Sequence, residues 1–199
     1  MAGTHLLLAL SWGIYFVLHS LLAHLQVKNW FRNKMGAAYK YYRLVYSIIA
    51  LVLLLPPVYL LFITSSVRFW DLSLLTGIPA AILVAVGLVG MIVCLKKYIR
   101  SSEGFRDLFY EGMKPELQVQ GLHRFVRHPL YLSTFIWLGG IFLFFPYLSC
   151  LIVCLQTIAY VLVAIPLEED KLIGSYGEAY RKYREDVGAV LPRITGSRY

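Results

Sequence analysis

The sequence predicts an all-α integral membrane protein of about five transmembrane helices, N-terminus outside, closed by a cytosolic C-terminal amphipathic helix. Three observations lead there. The 199 residues are 59% hydrophobic and only 15% charged, too apolar for a soluble chain of this length. Apolar runs long enough to cross a hydrocarbon core recur without charge. The polar segments between them are by turns strongly basic and nearly uncharged. Length allows one domain or at most two, and a single domain over residues 1–199 is the reading adopted. The formal charge of +8 invites a nucleic-acid reading. No basic segment is interleaved with a recognisable nucleic-acid module, so topology explains the excess and no nucleic-acid partner is expected. Cys94, Cys150 and Cys154 fall inside apolar runs. They read as buried free thiols, with neither a metal-ligand spacing nor a disulfide framework.

Residues 6–25 form the first expected span. They lack the basic leader of a secretory signal and are long for its apolar core, so they read as a retained helix. His24 falls at the interface. His19 lies deeper, and an ionisable group inside a span is a functional candidate. The plainer alternative is a hydrogen bond from His19 to a neighbouring helix. Residues 26–43 hold Lys28, Arg32, Lys34, Lys40 and Arg43 with no acidic residue, and aromatics are interleaved. This suits the headgroup region as an interfacial connector.

Residues 44–63 make the second span, where Pro56 and Pro57 predict a kink or break. A short loop over 64–78 leads to the third span at 79–95, whose Ala80, Ala81, Ala85, Gly87 and Gly90 permit close helix packing. Residues 96–128 form the longest polar connection, with seven Lys or Arg against four Asp or Glu. A loop this long in a small protein is more often functional than idle. The fourth span, 130–145, is short and opened by Pro129. The fifth, 147–167, follows a tight apolar hairpin at Pro146 and Tyr147. Beyond it Leu172, Tyr176, Tyr180, Tyr183 and Val187 recur at helical spacing. Residues 168–186 therefore read as an amphipathic helix that packs on the membrane or covers a site. The basic connections at 26–43 and 96–128 and the basic tail belong in the cytoplasm by the positive-inside rule.

This topology brings two clusters to one face. His123, Arg124, Arg127 and His128 precede the fourth span, and Glu168, Glu169 and Asp170 end the fifth. An interhelical ion-pair belt is one reading. The other is a ligand site. Pro129 fixes the start of a helix whose first N–H groups point out unpaired, as an anion site. Arg and His would add charge-assisted bonds to a carboxylate, and a facing Glu would hold an ammonium. A ligand with an amino-acid end would fit both.

The ordered set Arg127-His128-Pro129-Leu130-Tyr131, Glu168-Glu169, Leu172, Tyr176-Gly177, Tyr180, Tyr183 and Leu191-Pro192-Arg193 resembles the isoprenylcysteine carboxyl methyltransferase superfamily. That superfamily also includes phospholipid N-methyltransferases. The resemblance covers residues 121–193. In the N-terminal half, His19-Ser20-Leu21-Leu22-Ala23 and Tyr42-Arg43-Leu44-Val45-Tyr46 are similar to the branch holding methanethiol S-methyltransferases and NnrU-type membrane proteins.

The resemblance implies a single membrane methyltransferase domain in a prokaryotic inner membrane, its active site facing the cytoplasm. It implies S-adenosylmethionine as methyl donor, leaving S-adenosylhomocysteine as product, with the cofactor held within residues 115–193. By motif, His128, Pro129, Leu130 and Tyr131 line the cofactor site and Glu168 holds the cofactor. Glu169 and His123 belong to the same site, and Pro115, Glu116, Leu117 and Gln118 supply backbone to the pocket. Three departures stand out. His123 replaces the family's Tyr, Ser133 replaces a Gly, and Ala164 stands where isoprenylcysteine enzymes carry an Arg implicated in handling the substrate carboxylate. The expected partners are the lipid bilayer and a small or lipophilic methyl acceptor: a thiol first, then a lipid amine or a carboxylate. Arg127 and His19 are the expected catalytic residues, and no metal is expected. The alternative is a non-catalytic accessory protein on the same scaffold, which the loss of the Arg at position 164 favours.

Overall fold

A computed structural model describes residues 2–100 and 117–193. Its regular structure there is helical: α1 (Ala2–Ala23), α2 (Leu25–Met35), α3 (Tyr42–Ile63), α4 (Leu74–Arg100), α5 (Pro129–Phe144), α6 (Leu148–Tyr176) and α7 (Glu178–Asp186), with 3-10 turns at Gly36–Tyr41 and Gly121–Arg124. Among the described residues, four helical segments are long and apolar enough to cross a membrane: Ala2–Ala23, Ala38–Ile63, Leu74–Lys96 and Leu148–Tyr176. The expected fourth span, α5, has 16 residues, about 24 Å at roughly 1.5 Å per residue. The apolar side chains of these helices largely face outward: Leu6, Leu10, Ile14, Val17 and Leu21 are exposed along α1 alone. A water-facing surface of that kind is costly, and a lipid-facing one is not. The chain is a multi-pass membrane protein.

Two compact units divide the described residues, one from 2–71 and 146–156, the other from 72–100, 117–145 and 157–193. In the first, α1 packs against α3. His24 separates α1 from α2 and caps the latter, its Nδ1 accepting the Gln26 N–H at 3.3 Å. Gly36, at φ 52°, ends α2. The inner face of α2 puts Phe31 beside Tyr42, ring centres 5.1 Å apart. The Tyr42 hydroxyl in turn donates to the Leu22 carbonyl at 2.6 Å, tying the start of α3 to the end of α1. The expected break at Pro56 and Pro57 does not occur, and α3 runs through both. Each proline removes one ladder bond, but unwinding would expose further backbone groups in an apolar environment.

Thr64 ends α3 with its hydroxyl on the Leu60 carbonyl, 2.6 Å. The following loop is stitched to the turn before α6. The Phe69 N–H donates to the Pro146 carbonyl at 2.8 Å, and the Leu148 N–H to the Val67 carbonyl at 2.9 Å. Ser66 Oγ accepts the Ser149 N–H at 2.8 Å and also meets His5 Nε2 at 2.9 Å.

In the second unit α4 packs along α5. It starts at Leu74, five residues before the expected proline start, so Pro79 lies inside it. The close approach is made by glycine. A Cβ on Gly87 would lie 2.6 Å from the Trp137 Cβ, and one on Gly140 would lie 2.7 Å from the Val84 backbone nitrogen. Gly90 faces Ser133 in the same way. Ser133 is buried and donates to the Pro129 carbonyl at 2.8 Å. The missing side chain of Gly90 makes room for Ser133.

Helix α6 does not stop at residue 167. It continues through Glu168 and Glu169 to Tyr176, and Gly177, at φ 58°, then turns the chain into α7. The expected amphipathic helix over 168–186 is therefore the end of α6 plus α7. Its aromatic face does not spread outward. Tyr180, Tyr183 and Val187 form a buried cluster with Leu117, Val119, Leu172, Ile173 and Tyr176.

Gly140→Val should loosen the α4–α5 contact at a cost of about 1–3 kcal/mol, because backbone rather than a mobile side chain stands in the way. Gly139→Val, where nothing lies within 4 Å, should be near neutral. Thermal unfolding of the two variants in one detergent checks the difference, and equal midpoints would refute the contact.

Candidate functional site

The site is built where two backbone stretches meet. The Arg127 N–H donates to the Gly188 carbonyl at 2.8 Å, and the His128 N–H to the Ala189 carbonyl at 2.9 Å. A Cβ on Gly188 would strike the Leu191 carbonyl oxygen, so only glycine lets the segment fold this tightly. His123 Nδ1 reaches the Arg127 carbonyl at 3.1 Å, and the Tyr183 hydroxyl donates to the His123 carbonyl at 2.6 Å. His123 thus braces the turn that leads into α5. Pro129 occupies the first position of α5, where its missing N–H costs nothing.

Arg127 is directed inward. Its side chain is 7% exposed and meets Glu169 Oε1 with Nε at 2.8 Å and Nη2 at 2.7 Å. Nη1 donates to the Arg184 carbonyl at 3.0 Å and to the Val187 carbonyl. These carbonyls belong to the end of α7, so Arg127 caps that helix as well as pairing a carboxylate. Glu169 is 4% exposed and also receives Arg184 Nε at 3.3 Å and His128 Nε2 at 3.2 Å. A buried carboxylate is tolerated because it is this heavily hydrogen-bonded.

Glu168 faces the other way. Its carboxylate is 45% exposed, and Oε2 accepts the Tyr131 hydroxyl at 2.7 Å. His128 Nδ1 stands 3.8 Å from the same oxygen, and its ring stacks on Tyr131 with centres 5.4 Å apart. A half-exposed anion therefore sits beside the first turn of α5, whose leading N–H groups have no partner within the helix. The arrangement can take an ammonium on Glu168 and an anion on the helix start. Such a pair of complementary charges fits the methionine end of S-adenosylmethionine.

Of the expected site residues, His123, Arg127, His128, Pro129, Leu130, Tyr131, Glu168 and Glu169 come together in this unit. Leu117 packs on the Tyr180 and Tyr183 cluster, and Gln118 is exposed beside it. Pro115 and Glu116 lie outside the described residues. His19 belongs to the first unit, where its ring nitrogens lie 3.0 and 3.1 Å from the Tyr46 hydroxyl and its ring lies beside Tyr15. The plainer reading of His19, a bond to a neighbouring helix, is present in this contact between α1 and α3. Among the described residues no group of three or more His, Cys, Asp or Glu side chains is placed to hold a metal ion.

Sequence reasoning missed Arg184 and the particular place of Tyr180. Tyr180 is 2% exposed, and its hydroxyl lies beside Arg127 and Glu169 without a well-aligned hydrogen bond. Burial, and then the Glu169 charge, push its phenol up to about 12, so it stays protonated at neutral pH. The signal was available: Tyr180, Arg184 and Val187 share the helical stripe already noted for its aromatics.

Arg127→Met or Glu169→Gln, each removing one side of the buried pair, should destabilise the fold by about 3–5 kcal/mol. The double variant should recover part of that loss, since neither member of the buried pair is then left as an unpaired charge. Chemical denaturation of the four proteins checks the cycle, and additive losses would show that the two side chains are not coupled.

The NnrU protein family model matches residues 6–195. A methanethiol S-methyltransferase of Crocosphaera subtropica is 27% identical over 194 residues, covering 92% of this chain and 72% of its own length. A Mycobacterium tuberculosis protein of the same name is 29% identical over 194 residues, covering 90% of this chain and 75% of its own. A protein-S-isoprenylcysteine O-methyltransferase of Schizosaccharomyces pombe is 31% identical over 111 residues, 51% of this chain and 47% of its own. No solved structure matches. These similarities agree with the resemblance carried by the motifs over residues 121–193 and in the N-terminal half. The chain belongs to the NnrU protein family.

Proposed function

We propose that this protein is a membrane-embedded methyltransferase that moves a methyl group from S-adenosylmethionine to a small or lipid-like acceptor, with a thiol the first choice. The observation that carries the reading is the outward-facing Glu168, held by Tyr131 beside the start of α5. Relatives named as methyltransferases, matched over nine-tenths of this chain, support the reaction class. The donor, when bound, supplies a methyl group already activated on a sulfonium, so the protein's task is mainly positioning.

Glu168 binds the ammonium, and the N–H groups of Leu130 and Tyr131 bind the carboxylate. His128, Pro129, Leu130 and Tyr131 line the site, with Leu117 and Gln118 alongside. Arg127 positions rather than touches: by clamping Glu169 and the carbonyls of Arg184 and Val187, it holds the backbone that fixes His128. An acceptor thiol has to lose its proton, and His19, bonded to Tyr46, is the candidate base. Ala164 offers no cation for a substrate carboxylate, which puts a carboxylate acceptor behind a thiol or a lipid amine. The basic charge of residues 26–43 and of the tail supports reading the site as cytoplasmic and the N-terminus as outside, in what we take to be a prokaryotic inner membrane. The shorter α5 is the fifth crossing.

Calorimetry with S-adenosylhomocysteine should show one site on the parent and at least about tenfold weaker binding to Glu168→Gln. His19→Gln should bind normally but transfer labelled methyl groups more slowly. Transfer to methanethiol should exceed transfer to prenylcysteines and phospholipids, and inside-out vesicles should use added donor where right-side-out vesicles do not. Unaltered binding by Glu168→Gln would overturn the site. A parent that binds no S-adenosylhomocysteine and transfers no methyl group would favour a non-catalytic accessory role.

A further inference from the structure

Beside the pair of Arg127 and Glu169, the second unit holds an open cavity of about 400 Å³ lined by Arg124, Phe125, Asp186, Val187, Pro192 and Arg193. None of the proposed donor-binding residues lines it. Its lining residues include two arginines and one aspartate, a balance of charge that favours an anion. Arg193 is held in place by donating to the Glu185 carbonyl. Guanidinium groups match phosphate oxygens in a planar, two-pronged geometry. Exposed apolar side chains accompany it: Phe125 is 60% exposed, Leu191 72%, and Leu122, within the 3-10 turn, 39%.

Depth decides which phosphate. Arg124 and Phe125 lie five and four residues before Pro129, where the apolar helix α5 begins. That is the level of lipid headgroups, where cations meet phosphate and exposed aromatic or aliphatic side chains meet acyl chains. A free phosphate would use the arginines but leave Phe125 and Leu191 uncovered. A phospholipid would use both. We propose that this cavity binds the phosphate headgroup of an anionic phospholipid, with Arg124 and Arg193 on the phosphate and Phe125 and Leu191 against the lipid's apolar part.

A lipid bound here acts on the neighbouring site. Val187 is common to both: the residue is part of the cavity lining, and its carbonyl accepts from Arg127. Occupancy therefore braces the segment that carries Gly188 and Ala189, and with it the backbone of Arg127 and His128. The proposal stands apart from the methyl-transfer reading, because its readout needs no donor.

The test uses the full chain purified in a neutral detergent. Phosphatidylglycerol, phosphatidylcholine of the same acyl chains, and inorganic phosphate are each titrated while the thermal midpoint is followed. Native mass spectrometry counts the lipids retained. Phosphatidylglycerol should raise the midpoint by about 3 °C or more and remain bound as one molecule, whereas the other two should not. Arg124→Gln with Arg193→Gln should weaken this effect at least about tenfold. Arg181→Gln with Lys182→Gln, two exposed cations of α7, should leave it intact. Equal effects of the two lipids on the parent would overturn the proposal even if the double variant failed to fold. An equal effect of inorganic phosphate would assign the cavity to a free anion instead. Competition by S-adenosylhomocysteine would assign it to the donor, which also overturns the lipid.

Discussion

The second unit depends on one buried ion pair. Arg127 and Glu169 lie 42 residues apart and meet at 2.7 Å with almost no exposure on either side. Such a pair is not a source of stability in itself, because desolvation offsets most of the attraction. What it imposes is uniqueness. Glu169 cannot stay buried without Arg127, Arg184 and His128, and Arg127 cannot stay buried without Glu169 and the carbonyls at the end of α7. Four chain segments are thereby fixed at one point: the approach to α5, the late part of α6, the end of α7 and the strand-like stretch over 187–189. The backbone bonds from Arg127 and His128 to Gly188 and Ala189 are the geometric result.

Much of this was legible in the sequence, and the reason is period. Apolar runs between basic connections give helices in a membrane, and the Leu172, Tyr176, Tyr180, Tyr183 and Val187 stripe gives a face to bury. Pro129 marked a helix start correctly because proline at the first position agrees with the local geometry. Pro56, Pro57 and Pro79 misled for the complementary reason. In a hydrocarbon setting a helix outlasts the loss of a bond, so proline stops marking an end. The end of α6 was also misplaced. Glu168 and Glu169 looked like the polar stop of a span, but their charges are met by Tyr131 and by the arginines, and the helix runs on to Gly177.

Pairwise geometry was the part that a linear reading did not supply. The motif grouped Arg127 with His128 and Glu168 with Glu169, and from that grouping Arg127 looked available for chemistry. Its donors are instead engaged on Glu169, Arg184 and Val187. Ser133 looked like a mild departure from glycine, and the close contact at Gly90 shows where its volume goes. His123 looked like a lost tyrosine contact. Through Nδ1 on the Arg127 carbonyl, and its own carbonyl under Tyr183, it supports the turn instead.

The two consecutive glutamates divide between a buried cluster and a half-exposed position. Consecutive helical residues point about 100° apart, since a turn takes roughly 3.6 residues. When one of the pair is committed to the buried cluster, the other must face away from it. Glu169 takes the cluster at 4% exposure, and this places Glu168 at 45% exposure beside Tyr131 and the start of α5. The direction of Glu168 is thus set by its neighbour's ion pair as much as by its own contacts with Tyr131 and the more distant His128. That leaves the Glu168 side chain oriented and half-exposed, while the cost of burying a carboxylate is carried one residue away.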